Sequence, residues 1–238
     1  MSVPRAVVCL PTYNERENLE RMVRALADKG VDLLVIDDNS PDGTGEIADR
    51  LASELPWVEV LHRPQKEGLG RAYVDGFRHV LASGAEIVLE MDCDFSHDPA
   101  DVPRLIAAVE EGADLALGSR YVPGGGTANW GLVRRLISRC ASIYTRALLM
   151  PIHDSTGGFK CFRRRVLESI ELESIDAAGY VFQIETTYRT LRKGFDVVEI
   201  PIRFADRTAG QSKMSRAIVL EAVWKVPALR LAALAGRL

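Results

Sequence analysis

A chain of 238 residues has room for one large domain, or for one domain with an extension. Its 47% hydrophobic and 26% charged residues are typical of a globular protein with a good core, and its net charge of −3 gives no general affinity for nucleic acid. No stretch reaches the ~18–20 uncharged apolar residues of a membrane span. The four cysteines form no C-x-x-C pair, so we expect no disulfide framework, no zinc site and a reducing cytosolic compartment. The first five residues run straight into a strand-like segment, so we expect no signal peptide.

The first half of the chain alternates strand and helix patterns. Short apolar runs predict strands at Ala6–Leu10, Leu33–Ile36, Val58–Leu61, Ile87–Met91 and Leu115–Leu117. Helical patterns lie between them near Asn14–Asp28, Thr44–Glu54, Leu69–Ala82 and Pro99–Glu110. This alternation predicts an α/β protein with a mostly parallel sheet flanked by helices. Asn14 and Glu17 predict a capping box at the start of the first helix.

The pattern changes after Tyr121. We expect a long helix from about Trp130 to Met150, a strand at Phe159–Phe162, a helix near Gln183–Lys193 and a strand at Val197–Ile200. A polar loop, Asp206–Ser212, then leads into a final helix. On the long helix, the residues expected to pack inward are Leu132, Leu136, Cys140, Ile143 and Ala147, and a stripe of arginines adjoins them at Arg135, Arg139 and Arg146.

Two carboxylates, Asp92 and Asp94, directly follow the predicted strand Ile87–Met91. Side chains at i and i+2 in extended backbone point to the same side, and the C-terminal edge of an open α/β sheet is where ligands bind. Such hard oxygen ligands suit Mg²⁺ or Mn²⁺, which share their coordination shell with substrate phosphates. Chance supplies about one D-x-D in a chain of this composition, so for the triplet alone a turn with a helix cap stays open.

Polar segments also follow the first two predicted strands. PTYNE ends at Glu15 and DDNS ends at Ser40, and both reach the sheet edge where such groups bind ribose and base. KEGLGRA, which begins at Lys66, opens the third helix with two glycines. It suits either a phosphate at a helix N-terminus or a tight turn.

Together these segments resemble a known family. PTYNE, DDNSPDGT, KEGLGRAY, MDCDFSHDP, GSRY, TGGFKCFRR, GYVFQIE and DRTAGQSK occur in that order over nearly the whole chain. The series resembles the family-2 glycosyltransferases of the polyprenol-phosphate (dolichol-phosphate) mannose synthase type, in particular members with a soluble catalytic domain. The resemblance implies a GT-A fold, a Rossmann-like mostly parallel sheet, over residues 1–213. A C-terminal amphipathic helix over residues 214–238 would follow it.

The resemblance also implies donor-binding residues. Those expected around the nucleoside are Pro11, Tyr13, Glu15, Ile36 and Asp38. Asp92 and Asp94 would hold Mg²⁺ or Mn²⁺, with Ser96 near the sugar or the metal, although relatives often have Gln at that position. Arg207 and Lys213 flank a small polar loop that suits closure over the donor diphosphate, the alternative being an exposed turn.

The expected acceptor site is basic. Arg134 and Ser138 share a face of the long helix at i and i+4, and with Arg120 the resemblance assigns them to the acceptor phosphate. The other interpretation of these arginines is a solvated helix face. We expect Asp94, Arg120 and Arg207 to be catalytic.

The activity implied is transfer of mannose from GDP-mannose to a polyprenyl monophosphate, with inversion. The nucleophile, a phosphate oxygen, is already ionised at neutral pH, so no strong general base is required. The alternatives left open are UDP-glucose or another donor, a nucleotidylyltransferase, whose Gly-rich signature is absent, and a non-catalytic nucleotide-sugar-binding protein.

A membrane surface is the last expected partner, with or without a membrane-anchoring protein, on the cytoplasmic face. In the final helix we expect an apolar face to pack on the domain, at Ile218, Val219, Ala222, Val223 and Val226. Leu220, Trp224 and the segment Leu229–Leu234 would then touch lipid, with Pro227 ending or kinking the helix. Packing of the whole helix on the protein is the alternative.

Overall fold

The computed structural model describes residues 5–175, 179–206 and 216–236, without the side chains of residue 180 and residues 216–222. Within these ranges the strands are β1 (Ala6–Thr12), β2 (Asp32–Asp37), β3 (Val58–His62), β4 (Ile87–Glu90), β5 (Leu115–Ser119), β6 (Gly126–Thr127), β7 (Lys160–Arg163), β8 (Val197–Pro201) and β9 (Arg203–Phe204). All seven predicted strands are present, and the two-residue strands β6 and β9 have no predicted counterpart.

Seven strands form one mixed sheet in the order β3-β2-β1-β4-β7-β5-β8. The pairs β1·β2, β1·β4, β2·β3 and β5·β8 are parallel. β7 lies between β4 and β5 and runs antiparallel to both. The predicted α/β architecture is confirmed, with one reversed strand in the middle of the sheet. The C-terminal ends of β1, β2 and β4 therefore meet at one edge.

Helices cover both faces of this sheet. Their bounds are α1 (Leu19–Leu26), α2 (Thr44–Glu54), α3 (Leu69–Ala82), α4 (Val102–Glu110), α5 (Leu132–Leu148), α6 (Arg164–Ser169), α7 (Gly179–Arg192) and α8 (Arg216–Leu234), with short 3₁₀ turns at Pro99–Asp101 and Leu172–Ser174. The bounds of α2 and α3 agree with the prediction, and α6 has no predicted counterpart.

The side chains of β1 alternate between two hydrophobic cores. Val8 and Leu10 pack in a core with α1, α2 and α4, while Val7 and Cys9 pack on the opposite face with α3, α6 and α7. All four are at most 2% exposed. A fully buried aliphatic side chain contributes about 1.5–3 kcal/mol relative to an exposed one, so a strand buried on both faces holds the sheet edge rigidly in place.

The first helix begins later than its sequence pattern predicts. α1 starts at Leu19, and the N–H groups of Asn18 and Leu19 both donate to the Glu15 carbonyl oxygen at 2.9 Å. Asn14 has φ +58°, in the left-handed region that Asn tolerates better than most residues. The predicted capping box of Asn14 and Glu17 is therefore wrong. The Asn14 N–H instead donates to Ser40 Oγ at 3.1 Å, which ties the end of β1 to the end of β2.

The long helix α5 presents its apolar stripe outward, so the prediction of inward packing is wrong. Its exposed members are Leu132, Val133, Leu136, Ile137, Cys140, Ile143, Ala147 and Leu148. The buried side of the helix is polar, with Ser142 and Thr145 beneath it. Thr145 Oγ1 lies 2.5 Å from Ser155 Oγ, so a hydrogen bond anchors the helix where apolar packing was expected.

The last helix, α8, packs beside α5 and α7. Val226, Leu229 and Ala233 are buried in a third core with Leu117 of β5 and Tyr188 of α7. The helix runs past Pro227, so the alternative that this proline ends it is wrong.

Two predicted orientations in α8 are also wrong. Val223 is 47% exposed instead of packed, and Leu229 is buried instead of facing lipid, whereas Trp224 is 77% exposed as expected. The side chains of Ile218, Val219, Leu220 and Ala222 lie outside the described residues, and the amphipathic character of 214–238 stays a prediction. No helix within the described ranges has the length and apolar character needed to cross a bilayer.

Candidate active site

A cavity of about 400 Å³ opens at the edge where β1, β2 and β4 end. Its wall carries most of the predicted site residues: Pro11, Tyr13, Glu15, Asp38, Asp92, Asp94, Ser96, Arg120 and Arg134. Ile36 and Ser138 do not line it. Arg207 and Lys213 lie outside the described residues. Five separate segments of the chain therefore converge on one crevice.

The acidic pair lies in a turn rather than in extended backbone. β4 ends at Glu90, and the chain turns through Asp92–Asp94 to Phe95, which has φ +60°. The expectation of two carboxylates aligned by a strand is wrong in this detail, but both reach the cavity wall. The Ser96 N–H donates to Asp94 Oδ1 at 3.0 Å and fixes the turn. Asp94 is 7% exposed, whereas the Asp92 side chain is 36% exposed.

His97 holds the other end of this turn. Its Nδ1 accepts a hydrogen bond from the Asp92 N–H at 3.1 Å, so the proton of the neutral ring is on Nε2. The ring stacks on Phe159 with centroids 4.9 Å apart. Burial lowers the pKa of His97 to about 4, and the Arg120 charge acts in the same direction against the opposing effect of Asp94. His97 is therefore a neutral support for the Asp92 backbone.

Arg120 forms a buried ion pair with Asp154. Its Nε and Nη2 donate to the two Asp154 carboxylate oxygens at 2.7 and 2.6 Å, and Nη2 also donates to Thr156 Oγ1 at 2.8 Å. Asp154 is fully buried and receives the Arg120 backbone N–H as well, at 2.8 Å. A bidentate pair of this kind fixes the plane of the guanidinium. Arg120 held in this way lines the cavity.

Arg134 reaches the same cavity from α5. Its guanidinium carbon lies 4.1 Å from the Trp130 ring centroid, and Nη1 donates to Asp206 Oδ1 at 2.7 Å. The predicted partner Ser138, one turn further along the helix, accepts a hydrogen bond from the Tyr121 hydroxyl at 2.6 Å. Arg134 therefore faces the cavity, while Ser138 lies outside its wall.

The opposite end of the cavity is formed by the ends of β1 and β2. Lys66 Nζ lies 3.9 Å from the Tyr13 ring centroid, a cation–π contact. Asp38 is hydrogen-bonded to Arg63, and burial is the largest influence on its pKa, which is raised despite that partner.

Ile36 lies away from this end of the cavity. It is fully buried, with its Cδ1 only 2.3 Å from where a Cβ on Gly76 would lie. Because successive side chains of β2 point to opposite faces, Ile36 packs toward α3. Glycine at position 76 is required for that packing.

The acidic pair is chemically suited to a divalent cation. Two carboxylates at a cavity wall supply the hard oxygen ligands that Mg²⁺ and Mn²⁺ prefer. The buried Ser96 Oγ beside them has no hydrogen-bond partner among the described residues. In that same part of the chain, no group of three or more His, Cys, Asp or Glu side chains is arranged to enclose a metal. The pair therefore fits a metal that takes its remaining ligands from a bound diphosphate and water.

Several residues of the site receive no role from the sequence, although Thr156 and Gln183 lie in the segments TGGFKCFRR and GYVFQIE. Asp154, Thr156 and Gln183 reach the cavity region only because the antiparallel strand β7 and helix α7 bring distant segments to it. Lys160 and Glu90 pair at neighbouring positions of β7 and β4 and are both fully buried. A charged residue inside a short apolar strand is the one sequence signal that marks these last two positions.

Comparison with known proteins places this arrangement in a family. The Glycosyl transferase family 2 model matches residues 7–171. The chain belongs to glycosyltransferase family 2, and it is a glycosyltransferase with a GT-A fold.

Two curated relatives share about half of their aligned residues with this chain. The polyprenol monophosphomannose synthase of Mycolicibacterium smegmatis is 50% identical over 93% of this chain and 85% of its own length. The undecaprenyl-phosphate mannosyltransferase of Micrococcus luteus is 47% identical over 96% of this chain and 95% of its own length.

Solved structures share the fold at lower identity. Glucosyl-3-phosphoglycerate synthase from Mycobacterium tuberculosis, in complex with UDP, has a TM-score of 0.69 and 23% identity, covering 95% of this chain and 80% of that one. A mannosyltransferase from Pyrobaculum calidifontis, in complex with GDP-Man and Mn²⁺, has a TM-score of 0.60 and 17% identity, covering 99% and 75%.

Proposed function

We propose that this glycosyltransferase transfers mannose from GDP-mannose to a polyprenyl monophosphate, releasing GDP, with inversion at the anomeric carbon. The observation that carries the proposal is the meeting of an acidic pair and two arginines on one cavity of about 400 Å³. Transfer between two phosphate-bearing substrates needs a place for each anion. The names of the curated relatives support mannose as the sugar and a polyprenyl phosphate as the acceptor.

The donor site extends from the end of β1 to the acidic pair. Tyr13, Glu15 and Asp38 would surround the nucleoside, with Pro11 at the base of the crevice. Asp92 and Asp94 would hold Mg²⁺ or Mn²⁺. When bound, such a cation withdraws negative charge from the departing diphosphate. The neutral His97 keeps the Asp92 backbone in place for this role.

The acceptor site is basic and rigid. Asp154 fixes the Arg120 guanidinium, and Trp130 supports that of Arg134. A lipid phosphate bound between the two would have an oxygen directed at the sugar, and such positioning of reactants supplies much of a catalytic effect. The Ser138 hydroxyl accepts from Tyr121 and keeps its own O–H for donation to the phosphate, so it would join these arginines by moving to the cavity wall.

Catalysis of this reaction then depends on charged groups held near the two phosphates more than on proton transfer. One phosphate oxygen forms the new bond to the anomeric carbon as the bond from that carbon to the GDP oxygen breaks. Because the attacking oxygen is already ionised, no side chain has to remove a proton from it. Arg207 and Lys213, which follow Asp206 in the sequence and lie outside the described residues, would add positive charge at the leaving group.

A membrane surface is the proposed setting for the lipid acceptor. The outward apolar stripe of α5 adjoins α8, where the Tyr144 hydroxyl donates to the Val223 carbonyl oxygen at 3.0 Å. Arg135, Arg139 and Arg146 are exposed along one edge of that stripe, as a leaflet with anionic lipid would favour. We propose that residues 1–213 form the catalytic domain and that residues 214–238, with α5, contact the cytoplasmic face of the membrane.

A donor-by-acceptor panel tests this function. Purified protein with Mn²⁺ and labelled GDP-mannose, GDP-glucose, UDP-glucose or UDP-N-acetylglucosamine is mixed with a short polyprenyl phosphate, and labelled lipid is measured. We expect product from GDP-mannose in clear excess over the other donors. Preference for a UDP-sugar, or no lipid product with any donor, would overturn the proposal.

The Asp94→Asn variant tests the metal assignment. Removing one oxygen ligand should lower turnover by at least ~10²-fold and abolish the Mn²⁺-dependent part of GDP binding. Asp98→Asn is the matched control, because Asp98 is exposed and caps the 3₁₀ turn at Pro99–Asp101, a role that Asn also fills. Normal Mn²⁺-dependent binding in Asp94→Asn would contradict the assignment.

A further inference from the structure

Gln183 is a buried amide on the cavity wall. It is 2% exposed, and neither its Oε1 nor its Nε2 forms a hydrogen bond of normal geometry with any described residue, although the amide lies close enough to Glu90 to lower the pKa of that carboxyl group. Leaving one buried polar group unsatisfied costs on the order of 1–3 kcal/mol. A cavity-lining side chain in this state is therefore a candidate for binding a ligand.

The backbone around Gln183 is held rigidly. Lys160 Nζ donates to the Gln183 carbonyl oxygen at 2.7 Å and to Thr186 Oγ1 at 2.8 Å. Thr187 Oγ1 donates to the same carbonyl oxygen at 3.1 Å. The preceding residue, Phe182, stacks on Tyr73 with centroids 5.9 Å apart. The backbone that carries the amide is thus fixed before any ligand arrives, as a specific binding group requires.

Contacts place Gln183 between the acidic pair, Asp92 and Asp94, and the basic residue Arg120. A Cβ on Gly158 would lie 3.4 Å from Gln183 Nε2 and 3.9 Å from His97 Cε1. His97 contacts the backbone of Asp92, and Thr156, two residues before Gly158, contacts Arg120. The wall thus runs from the acidic pair through Gly158 and Gln183 to the arginine. The group transferred between the two phosphates has to pass this stretch.

The chemistry of this stretch fits a neutral, hydroxyl-bearing group. An amide offers one acceptor and two donor hydrogens, which match neighbouring hydroxyls on a sugar ring. Glu90 lies close to it and is fully buried, and neither of its carboxyl oxygens forms a hydrogen bond of normal geometry among the described residues. Gly158 has no side chain that would fill the space.

We propose that Gln183 is a specificity-determining residue that binds hydroxyls of the donor hexose between the diphosphate and acceptor-phosphate sites. The inference rests on the proposed function, since it takes a nucleotide sugar as the ligand. It adds a residue that recognises the sugar separately from the nucleotide. Gln183 contributes to the affinity for a nucleotide sugar and leaves the affinity for the nucleotide itself unchanged.

The test compares binding of GDP and GDP-mannose by calorimetry in the presence of Mn²⁺. Wild-type protein should bind GDP-mannose about tenfold more tightly than GDP, as one or two hydrogen bonds provide. In Gln183→Leu this preference should fall below about twofold, with the affinity for GDP unchanged. Gln65→Leu, which removes the same amide from an exposed position off the cavity wall, should keep the preference.

Each other result is decisive. A Gln183→Leu protein that keeps the full preference for GDP-mannose, or a wild-type protein that prefers no nucleotide sugar over its nucleotide, overturns the inference. If the protein binds UDP-glucose instead, the GDP-mannose assignment fails. The same comparison, made with UDP and UDP-glucose, then still decides the role of Gln183.

If Gln183→Leu does not fold, wild-type protein is tested with donors lacking one sugar hydroxyl each. At least one should bind about tenfold more weakly, and equal binding of all contradicts the inference.

Discussion

One carboxylate, Asp154, holds Arg120 at the wall of the cavity. Its two oxygens receive three hydrogen bonds from that arginine, and its own N–H donates to Glu199 Oε1 at 2.9 Å. Asp154 is fully buried and the Arg120 side chain is only 5% exposed. The pair therefore has structural and functional consequences that a surface ion pair would not have.

Asp154→Asn should be strongly destabilising. The change leaves the Arg120 charge buried without its counter-ion, and breaking a buried pair costs about 3–5 kcal/mol. The free energy of unfolding, measured by urea denaturation, checks this. Asp206→Asn is the matched control, since Asp206 pairs with Arg134 at a half-exposed site, where the cost is about 0–1 kcal/mol. Equal losses in the two variants would contradict the account of Arg120.

Glu90 makes stability depend on pH. Burial raises its pKa from 4.5 to about 7, although the Lys160 charge and the Gln183 side chain act in the opposite direction. Burial likewise lowers the pKa of Lys160 from 10.5 to about 8, although the Glu90 charge opposes it. The folded protein thus keeps a proton on Glu90 that the unfolded chain releases above pH 4.5. The stabilisation by this proton is complete below that pH and is lost as the pH rises through 7.

Glu90→Gln should remove this dependence. A shift of this size corresponds to about 3 kcal/mol in all, of which about 2 kcal/mol falls between pH 5 and pH 7.5, so the variant should gain about 2 kcal/mol relative to wild type over this range. The opposite contribution of Lys160 lies between about pH 8 and 10.5, outside that window. Urea unfolding of both proteins at the two pH values checks it. A difference that stays constant with pH would show that Glu90 does not titrate there.

At the scale of elements, α5 has the reverse orientation of an ordinary surface helix. Leu132 is 81% exposed and Leu136 is 65% exposed, while Thr145 is buried and hydrogen-bonded to Ser155. Apolar periodicity identifies the two sides of a helix, but it gives no information on which side meets the protein. The hydrogen bond from Thr145 to Ser155 holds the polar side of the helix against the protein, and Arg134 of the same helix lines the cavity.

The double variant Leu132→Ser/Leu136→Ser should detach the protein from lipid. Flotation with vesicles of phosphatidylcholine and phosphatidylglycerol should show at least ~10-fold weaker binding, since burial of each leucine in lipid contributes about 1.5–3 kcal/mol. Stability should change by less than about 0.5 kcal/mol per site, because both side chains are exposed. Val198→Ser, on β8 rather than on either helix, is the control. Undiminished vesicle binding by the double variant would exclude α5 as the membrane contact.

Over the whole molecule, the sequence predicts the regular part of the fold. The bounds of α2 and α3 agree with the structure, and the polar strand ends of β1, β2 and β4 meet at one edge as expected. These features depend on local periodicity and on the direction of parallel strands. The antiparallel direction of β7 depends on which strands flank it, which no local pattern encodes.

The sequence likewise predicts only part of the candidate site. Asp92, Asp94 and Arg120 lie in motifs, Arg134 lies on the predicted long helix, and all four reach the cavity. Asp154 supports Arg120 through a contact between distant parts of the chain, which a single sequence does not reveal. Ile36, which the resemblance assigns to the nucleoside site, has its side chain packed in the core.

The most direct test of the central claim is the choice between two acceptors. Polyprenyl phosphate and the matching polyprenol, which lacks the phosphate, are each incubated with the protein, Mn²⁺ and GDP-mannose, and the lipid products are identified by mass spectrometry. An acceptor phosphate held by Arg120 and Arg134 and attacking without a general base predicts mannosylated polyprenyl phosphate and no mannosylated polyprenol. Comparable transfer to the free alcohol would contradict the account, because that reaction needs a base and has no use for the two arginines.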